Sequence, residues 1–159
     1  MAKSYGHKTC PVAKTLDMIG ERWTLLVIRE MLLGTRRFDD FQRNLGIARN
    51  VLQARLERLV DEGLVVREPY QERPRRYEYR LTPKGLDLWP ALHALRIWGD
   101  RHSDRLPPVV VRHRGCGGVV DDRRRCETCG AMLEHGDVVA TRGPGASSQQ
   151  DRLPDVASV

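Results

Sequence analysis

Three of the four cysteines fall in one short stretch, HRGCGGVVDDRRRCETCG (residues 113–130), behind a histidine. His113 and Cys116 are two residues apart, as are Cys126 and Cys129, and Gly117 and Gly130 follow the second member of each pair. Such a pair can hold one metal ion within a tight turn, and the glycine frees the backbone as it leaves. Four nitrogen and sulfur donors suit tetrahedral zinc and leave no coordination position open for a reaction, so the expected role is structural. Two other readings stay open: a redox dithiol at Cys126 and Cys129, or a remnant that holds nothing. Zinc would also explain how a segment with only Val119, Val120 and Leu133 to bury stays folded, since metal binding is worth on the order of 10 kcal/mol. The intervening GVVDDRRR is expected to turn at Asp121-Asp122. His135 could replace His113 but reads as plain surface.

The fourth cysteine, Cys10, precedes Pro11 and stands between Lys8 and Lys14. A helix opening at Pro11 would place its partial positive charge there, and with the lysines this favours a thiolate able to react with quinones or aldehydes. A small buried cysteine chosen for packing is the other reading. No other nucleophile has an activating neighbour. Without a Gly-rich phosphate loop or a carboxylate pair at an open metal site, no catalytic residue is assigned, and an enzyme is not expected.

The chain around these residues has 159 positions, with 27 Lys+Arg against 21 Asp+Glu and a net charge of +6. The surplus favours a polyanionic partner. The start, MAKSYGHK, lacks the character of a secretory leader. The most apolar run, residues 23–33, is too short for a membrane span and contains Arg29 and Glu30. Clustered cysteines suit a reducing compartment, so a cytoplasmic protein without a membrane partner is expected.

Periodicity gives the elements that must position these groups. CPVAKTLDMIG reads as a helix from Pro11 to Gly20, and ERWTLLVIREMLLG as a second one, apolar most of the way round and therefore buried. Residues 36–46 give a short helix. In 48–62, Leu52, Leu56, Leu59 and Val60 form one apolar stripe, and Gly63 stops the helix. The period then changes to two. Residues 64–70 and 75–81 predict a hairpin around the connector QERP, with Tyr77, Tyr79 and Leu81 turned to the core. One long helix follows from Pro83 to His102, bent at Pro90. Leu88, Ala91, Leu92, Leu95 and Trp98 make one apolar face, and Leu86, Trp89 and Ile97 another. A second apolar face implies a second partner surface, read as another copy of the chain.

This order predicts a mainly α fold with a small β-hairpin: a winged helix-turn-helix, dimeric, with a short ribbon-like C-terminal appendage. The expected division is an N-terminal arm at 1–9, the winged domain with its dimerisation helices at 10–106, the ribbon at 107–138 and a disordered tail at 139–159. Helix 48–62 would enter the major groove. Arg49, Asn50 and Gln53 in its first turns can pair with base edges. Arg43, Arg55 and Arg58 suit phosphates, and the hairpin tip offers Arg73, Arg75 and Arg76 to the backbone or a minor groove. The expected partner is double-stranded DNA. A winged-helix module that binds only protein is the alternative, though it would favour a neutral or acidic tip.

The run CPVAKTLDMIGERWTLLVIREMLLGTRRFDDFQRNLGIARNVLQARLERLVDEGLVVREPY, followed by YEYRLTPKG, resembles the HxlR-type family of bacterial transcriptional regulators. The resemblance covers residues 10 to 102. It implies a homodimer joined through the first and last helices and bound to a palindromic operator, with a repressor expected here. Several members respond to electrophiles, quinones or oxidants through a cysteine placed as Cys10 is, so an effector of that kind or another small molecule is expected. Some relatives pair that cysteine with another inside the DNA-binding domain, where this chain has only Cys10. Some also carry a C-terminal segment similar to residues 113–130, which implies zinc.

Overall fold

The computed structural model describes residues 9–147, and these form two compact units. The first holds the described residues to Met31 together with Thr35–Gly85; the second holds Leu32–Gly34 and the described residues from Leu86 onward.

The first unit carries the first four helices and the hairpin. Helix α1 (Pro11–Ile19) opens on Pro11, whose missing N–H costs nothing at a helix start, and closes where Gly20 N–H bonds to the Leu16 carbonyl. Helix α2 is Thr24–Leu32. It starts three residues later than its apolar pattern predicts, because Trp23 adopts a left-handed φ of 79° and turns the chain before Thr24. Nor is it buried all round: Leu26 is exposed, whereas the carboxylate of Glu30 is buried. That carboxylate accepts bonds from Arg29 Nη1 (2.9 Å), Thr35 Oγ1 (3.1 Å) and Asn44 Nδ2 (2.9 Å), which satisfy a charge that would otherwise be costly inside.

Asn44 lies on α3 (Phe38–Leu45), so the Glu30 network pins α3 to α2. Gly46 then takes φ 62° and hands the chain to α4 (Arg49–Asp61). Leu52, Leu56 and Leu59 of α4 are fully buried with Phe41, Val27, Ile28 and Met31, as the predicted stripe requires. Truncating one of these leucines to alanine should cost about 2–5 kcal/mol.

Strands β1 (Val65–Glu72) and β2 (Arg75–Leu81) pair antiparallel from Val65↔Leu81 to Glu72↔Arg75, with a bulge between Pro69 and Gln71. Pairing thus takes in Gln71 and Glu72 and shrinks the expected connector QERP to Arg73-Pro74, joined by a cis peptide bond. Tyr79 N–H bonds to the Arg36 carbonyl (2.8 Å) and Arg37 bridges to Glu78, which seats the hairpin beside the start of α3.

The expected long helix from 83 to 102 is two helices, α5 (Pro83–Leu86) and α6 (Trp89–Arg101). Pro90 is the reason. In a continuous helix its ring would clash with the carbonyl four residues back, at Leu86, and it has no N–H to continue the ladder; Leu86 is the last residue of α5.

In the second unit α6 joins β3 (Val109–His113), a one-turn 3₁₀ segment at His135–Asp137 and β4 (Val138–Arg142). β3 and β4 are antiparallel, with His113 opposite Val138 and Val109 opposite Arg142. Trp89, Val111, Val120, Cys126, Leu133 and Val138 make the core. By contacts the last helix, which falls inside the expected domain at 10–106, groups with the ribbon segment, and strand structure continues past 138 into the stretch expected as a disordered tail. VVATR is rich in β-branched residues and completes a sheet; beyond it Gly143 and Gly145 N–H groups bond back to Pro108 and Pro107. The part of the expected tail from 148 lies outside the described residues, as do residues 1–8 of the expected arm.

Candidate nucleic-acid interface and metal centre

The first turn of α4 faces the hairpin across a cleft of about 740 Å³. Arg43, Arg49 and Gln53 line it from the helices, Arg75 and Arg76 from β2. Arg49 stacks over Phe38 at 4.8 Å and lies 3.9 Å from Asp39, and Arg43 pairs with Asp40 at 2.7 Å. Gln53 Nε2 donates to Glu57 at 2.9 Å. These carboxylates hold the cations in place and also limit the net positive charge of the cleft. Asn50 and Arg73 are exposed outside the lining.

Arg55 and Arg58 are occupied elsewhere. Arg55 is ion-paired with Glu21, and its Nε is buried without a partner among the described residues. Arg58 pairs with Glu62 at 2.7 Å and reaches the Asp17 carbonyl at 3.4 Å. Both brace α4 against the start of the chain, a role that helical periodicity alone does not distinguish from a phosphate contact.

Two further arginines enter the cleft, Arg37 and Arg67, each stacked on a tyrosine: Arg37 on Tyr70 at 4.6 Å and Arg67 on Tyr77 at 3.9 Å. The signal for them in sequence is the interleaving of Arg and Tyr along the hairpin. Tyr77 and Tyr79, expected in the core, are only half-buried and line the cleft. Burial raises the Tyr79 phenol above its ordinary value, against the opposing charge of Arg67, so it stays a neutral hydroxyl.

In the second unit the four donors converge. One ligand atom from each of His113, Cys116, Cys126 and Cys129 lies within 4.8 Å of all the others. Cys116 Sγ is 3.3 Å from both His113 Nδ1 and Cys126 Sγ, and Cys129 Sγ is 3.3 Å from His113 Nδ1. Tetrahedral zinc with bonds of about 2.3 Å to sulfur needs donor separations of about 3.8 Å, which falls inside this range. Both turns leave through left-handed glycines, Gly117 at φ 72° and Gly130 at φ 73°. The backbone N–H of Cys129 and then of Thr128 bond to Cys126 and draw its thiol down to about 6, toward the thiolate that a metal requires. The cluster can hold a metal ion.

Gly118 closes the cradle. A Cβ there would lie 2.5 Å from Cys126 Sγ and 2.8 Å from Thr128 Cβ. The Asp121 turn forms as expected, its carboxylate accepting the N–H groups of Arg123 (2.9 Å) and Arg125 (2.7 Å). His135 is not plain surface: its Nε2 lies 3.2 Å from the Leu32 carbonyl and its ring stands edge-on to Trp89.

α6 holds this ribbon by contacts that sequence reading missed. Trp89 packs in the core with Cys126, and His93 Nε2 bonds to the Asp121 carbonyl at 2.8 Å. Arg101 meets Asp122 at 2.5 Å. Cys10 stands exposed at the N-cap of α1 and does not cap it with its side chain. Lys8, its expected neighbour, lies outside the described residues. Among the described residues no helix is long and apolar enough to cross a membrane.

Comparison with known proteins agrees with this geometry. The model of the HxlR-like helix-turn-helix family matches residues 18–107. The HTH-type transcriptional regulator Rv3095 of Mycobacterium tuberculosis is 46% identical over 136 residues, 84% of this chain and 86% of its own. The HTH-type regulator YdeP of Bacillus subtilis is 34% identical over 106 residues, 66% of this chain and 83% of its own. Among solved structures, PA1607 matches with a TM-score of 0.65 and 38% identity over 85% of this chain and 96% of that one. The redox regulator HypR in its oxidized form matches with 0.56 and 36% over 60% and 99%. With its helix-turn-helix, its basic hairpin and these relatives, the chain belongs to the HxlR-like helix-turn-helix family and is a DNA-binding transcriptional regulator.

Proposed function

We propose that the regulator binds a palindromic operator in double-stranded DNA as a homodimer, within the bacterial cytoplasm and without catalysis of its own. The first two turns of α4 read base edges through Arg49, Asn50 and Gln53, while Arg43 and the hairpin arginines Arg73, Arg75 and Arg76 take the flanking phosphates and minor groove. The observation that carries this reading is the cleft that faces Arg49 and Gln53 toward Arg75 and Arg76. Arg55 and Arg58 serve the fold.

The homodimer reading is supported by apolar side chains that stay open to solvent among the described residues. Leu95 and Trp98 on α6 are 53% and 64% exposed, and Val12 on α1 is 65% exposed. A palindrome read by two copies matches such self-complementary surfaces. Zinc at His113, Cys116, Cys126 and Cys129 is the metal that the donor set and its spacing favour, in a structural role. Cys10 is the site at which an electrophile or oxidant would act, supported by its exposure at a helix N-terminus and by the similarity to the redox regulator HypR.

Selection of genomic fragments by the purified protein, with and without oxidant, tests the reading. Enrichment of an inverted repeat is expected, with an oxidant response that a Cys10→Ser variant loses. Recovery of DNA without a shared motif would count against sequence-specific regulation.

A further inference from the structure

Cys126 belongs to two structures at once. It is one of the four convergent metal ligands, and at 2% exposure it is also a member of the core that contains Trp89 of α6. That core is small. Of its six buried residues Trp89 is the largest, Cys126 is a ligand, Val111 lies two residues before ligand His113, and Val138 stands opposite His113 across the sheet. A core of this size has little to hold a fold by itself, and a metal bound at the four donors would add folding free energy to it.

The same elements fasten α6. His93 bonds to Asp121 and Arg101 to Asp122, and both acceptors sit on the turn between the two ligand pairs. Arg96 reaches the carbonyl of Val109 at the head of β3 at 3.5 Å, and β3 ends on His113. One side of α6 is therefore held by groups whose positions depend on the ligands. The other side carries Leu95 and Trp98 outward.

We propose that metal occupancy of the His113–Cys116–Cys126–Cys129 centre is an assembly switch: it orders α6, and through the outward face of α6 it sets homodimerisation and operator binding. The ribbon is then a regulatory element that makes the regulator conditional on zinc, and not an inert appendage. This rests on the homodimer reading above, because a monomer has no α6 interface to lose. It separates the ribbon from the wing: metal loss should act on assembly and leave the α4–hairpin cleft intact.

The test uses the full chain, loaded with one equivalent of zinc and then stripped with a chelator. Amide hydrogen exchange is followed in peptides spanning 89–101 and 49–61, and the dimer dissociation constant is measured by sedimentation. Stripping is expected to speed exchange in 89–101 about 100-fold while 49–61 changes little, since local opening is confined to the unit that lost its ligand. The dissociation constant should rise about tenfold or more. Because a ligand variant could unfold the whole ribbon, His93→Leu provides the second measurement. It should retain zinc yet show faster exchange in 89–101 and a weaker dimer. A zinc-loaded protein that is monomeric refutes the homodimer reading itself. A dimer whose α6 exchange and dissociation constant do not change on stripping overturns the switch, as does a chain that takes up no zinc.

Discussion

His93 Nε2 donates a hydrogen bond to the backbone carbonyl of Asp121 at 2.8 Å, while Nδ1 of the same ring is buried without a partner among the described residues. A carbonyl only accepts, so the neutral ring carries its proton on Nε2, and a second proton on Nδ1 would have no acceptor. Burial accordingly lowers the His93 pKa, against the pull of the Asp121 carbonyl. The unfolded chain then takes the proton first. The contribution of His93 to stability is complete above the ordinary value of about 6.5 and is lost as pH falls below it toward the lower folded value. Thermal melts of the zinc-saturated protein at pH 7.5 and 5.5 should therefore differ more for the native chain than for His93→Gln. Equal losses in both would remove His93 as a source of acid sensitivity.

The metal cradle can be tested without touching a ligand. Gly118→Ala places a Cβ against Cys126 Sγ and Thr128, so one of them must shift. Zinc affinity, read by competition with a chromophoric chelator, is expected to fall about 10- to 100-fold, the scale on which supporting groups act. Gly136→Ala is the control, since a Cβ there meets nothing within 4 Å; its affinity should stay at the native value.

Base reading and phosphate holding should separate in titrations against salt. Replacing Arg49 and Asn50 by alanine should narrow the gap between operator and unrelated DNA by about 1–3 kcal/mol for each base pairing removed. Replacing Arg75 and Arg76 should weaken both kinds of DNA together and flatten the salt dependence, by about one unit of log–log slope for each phosphate no longer neutralised. If the two variants gave the same pattern, the division of labour between helix and hairpin would be wrong.

Trp98→Glu tests the outward face of α6. In the proposed homodimer a carboxylate there would meet its own copy across a two-fold interface, where like charges repel. Sedimentation should show a shift from dimer to monomer, with zinc content unchanged because Trp98 is exposed and supplies no ligand atom. An unaltered mass would send the search for the interface elsewhere.

Much of the fold is legible in the sequence because short-range rules decide it. The 3.6-residue stripe of Leu52, Leu56 and Leu59, the left-handed Gly46 and Gly63, and the paired ligands with Gly117 and Gly130 each act within a few residues of chain. What sequence does not show depends on meetings across long separations. Arg55 finds Glu21 over 34 positions and His93 finds Asp121 over 28, so an ion pair engages one basic residue of α4 and a hydrogen bond ties the last helix to the turn of the ribbon. Tyr77 and Tyr79 obey the alternation of a strand, but the surface they line is an open cleft and not a closed core. Pro90 signals a disturbance in the sequence. The clash with the Leu86 carbonyl makes it a break between two helices and not a bend in one.

The pairing of Val138 with His113 decides where this chain can be shortened. A protein ended at 138, where the ligand spacing alone would place the edge of the ribbon, keeps all four donors yet loses most of β4. The strand carrying His113 would then expose an unpaired edge, free to pair with other molecules. Shortened versions intended for zinc or DNA measurements should run at least through Gly145, whose N–H bonds to the Pro107 carbonyl ahead of β3. Aggregation of a shorter chain would reflect a cut sheet and would carry no information about the metal.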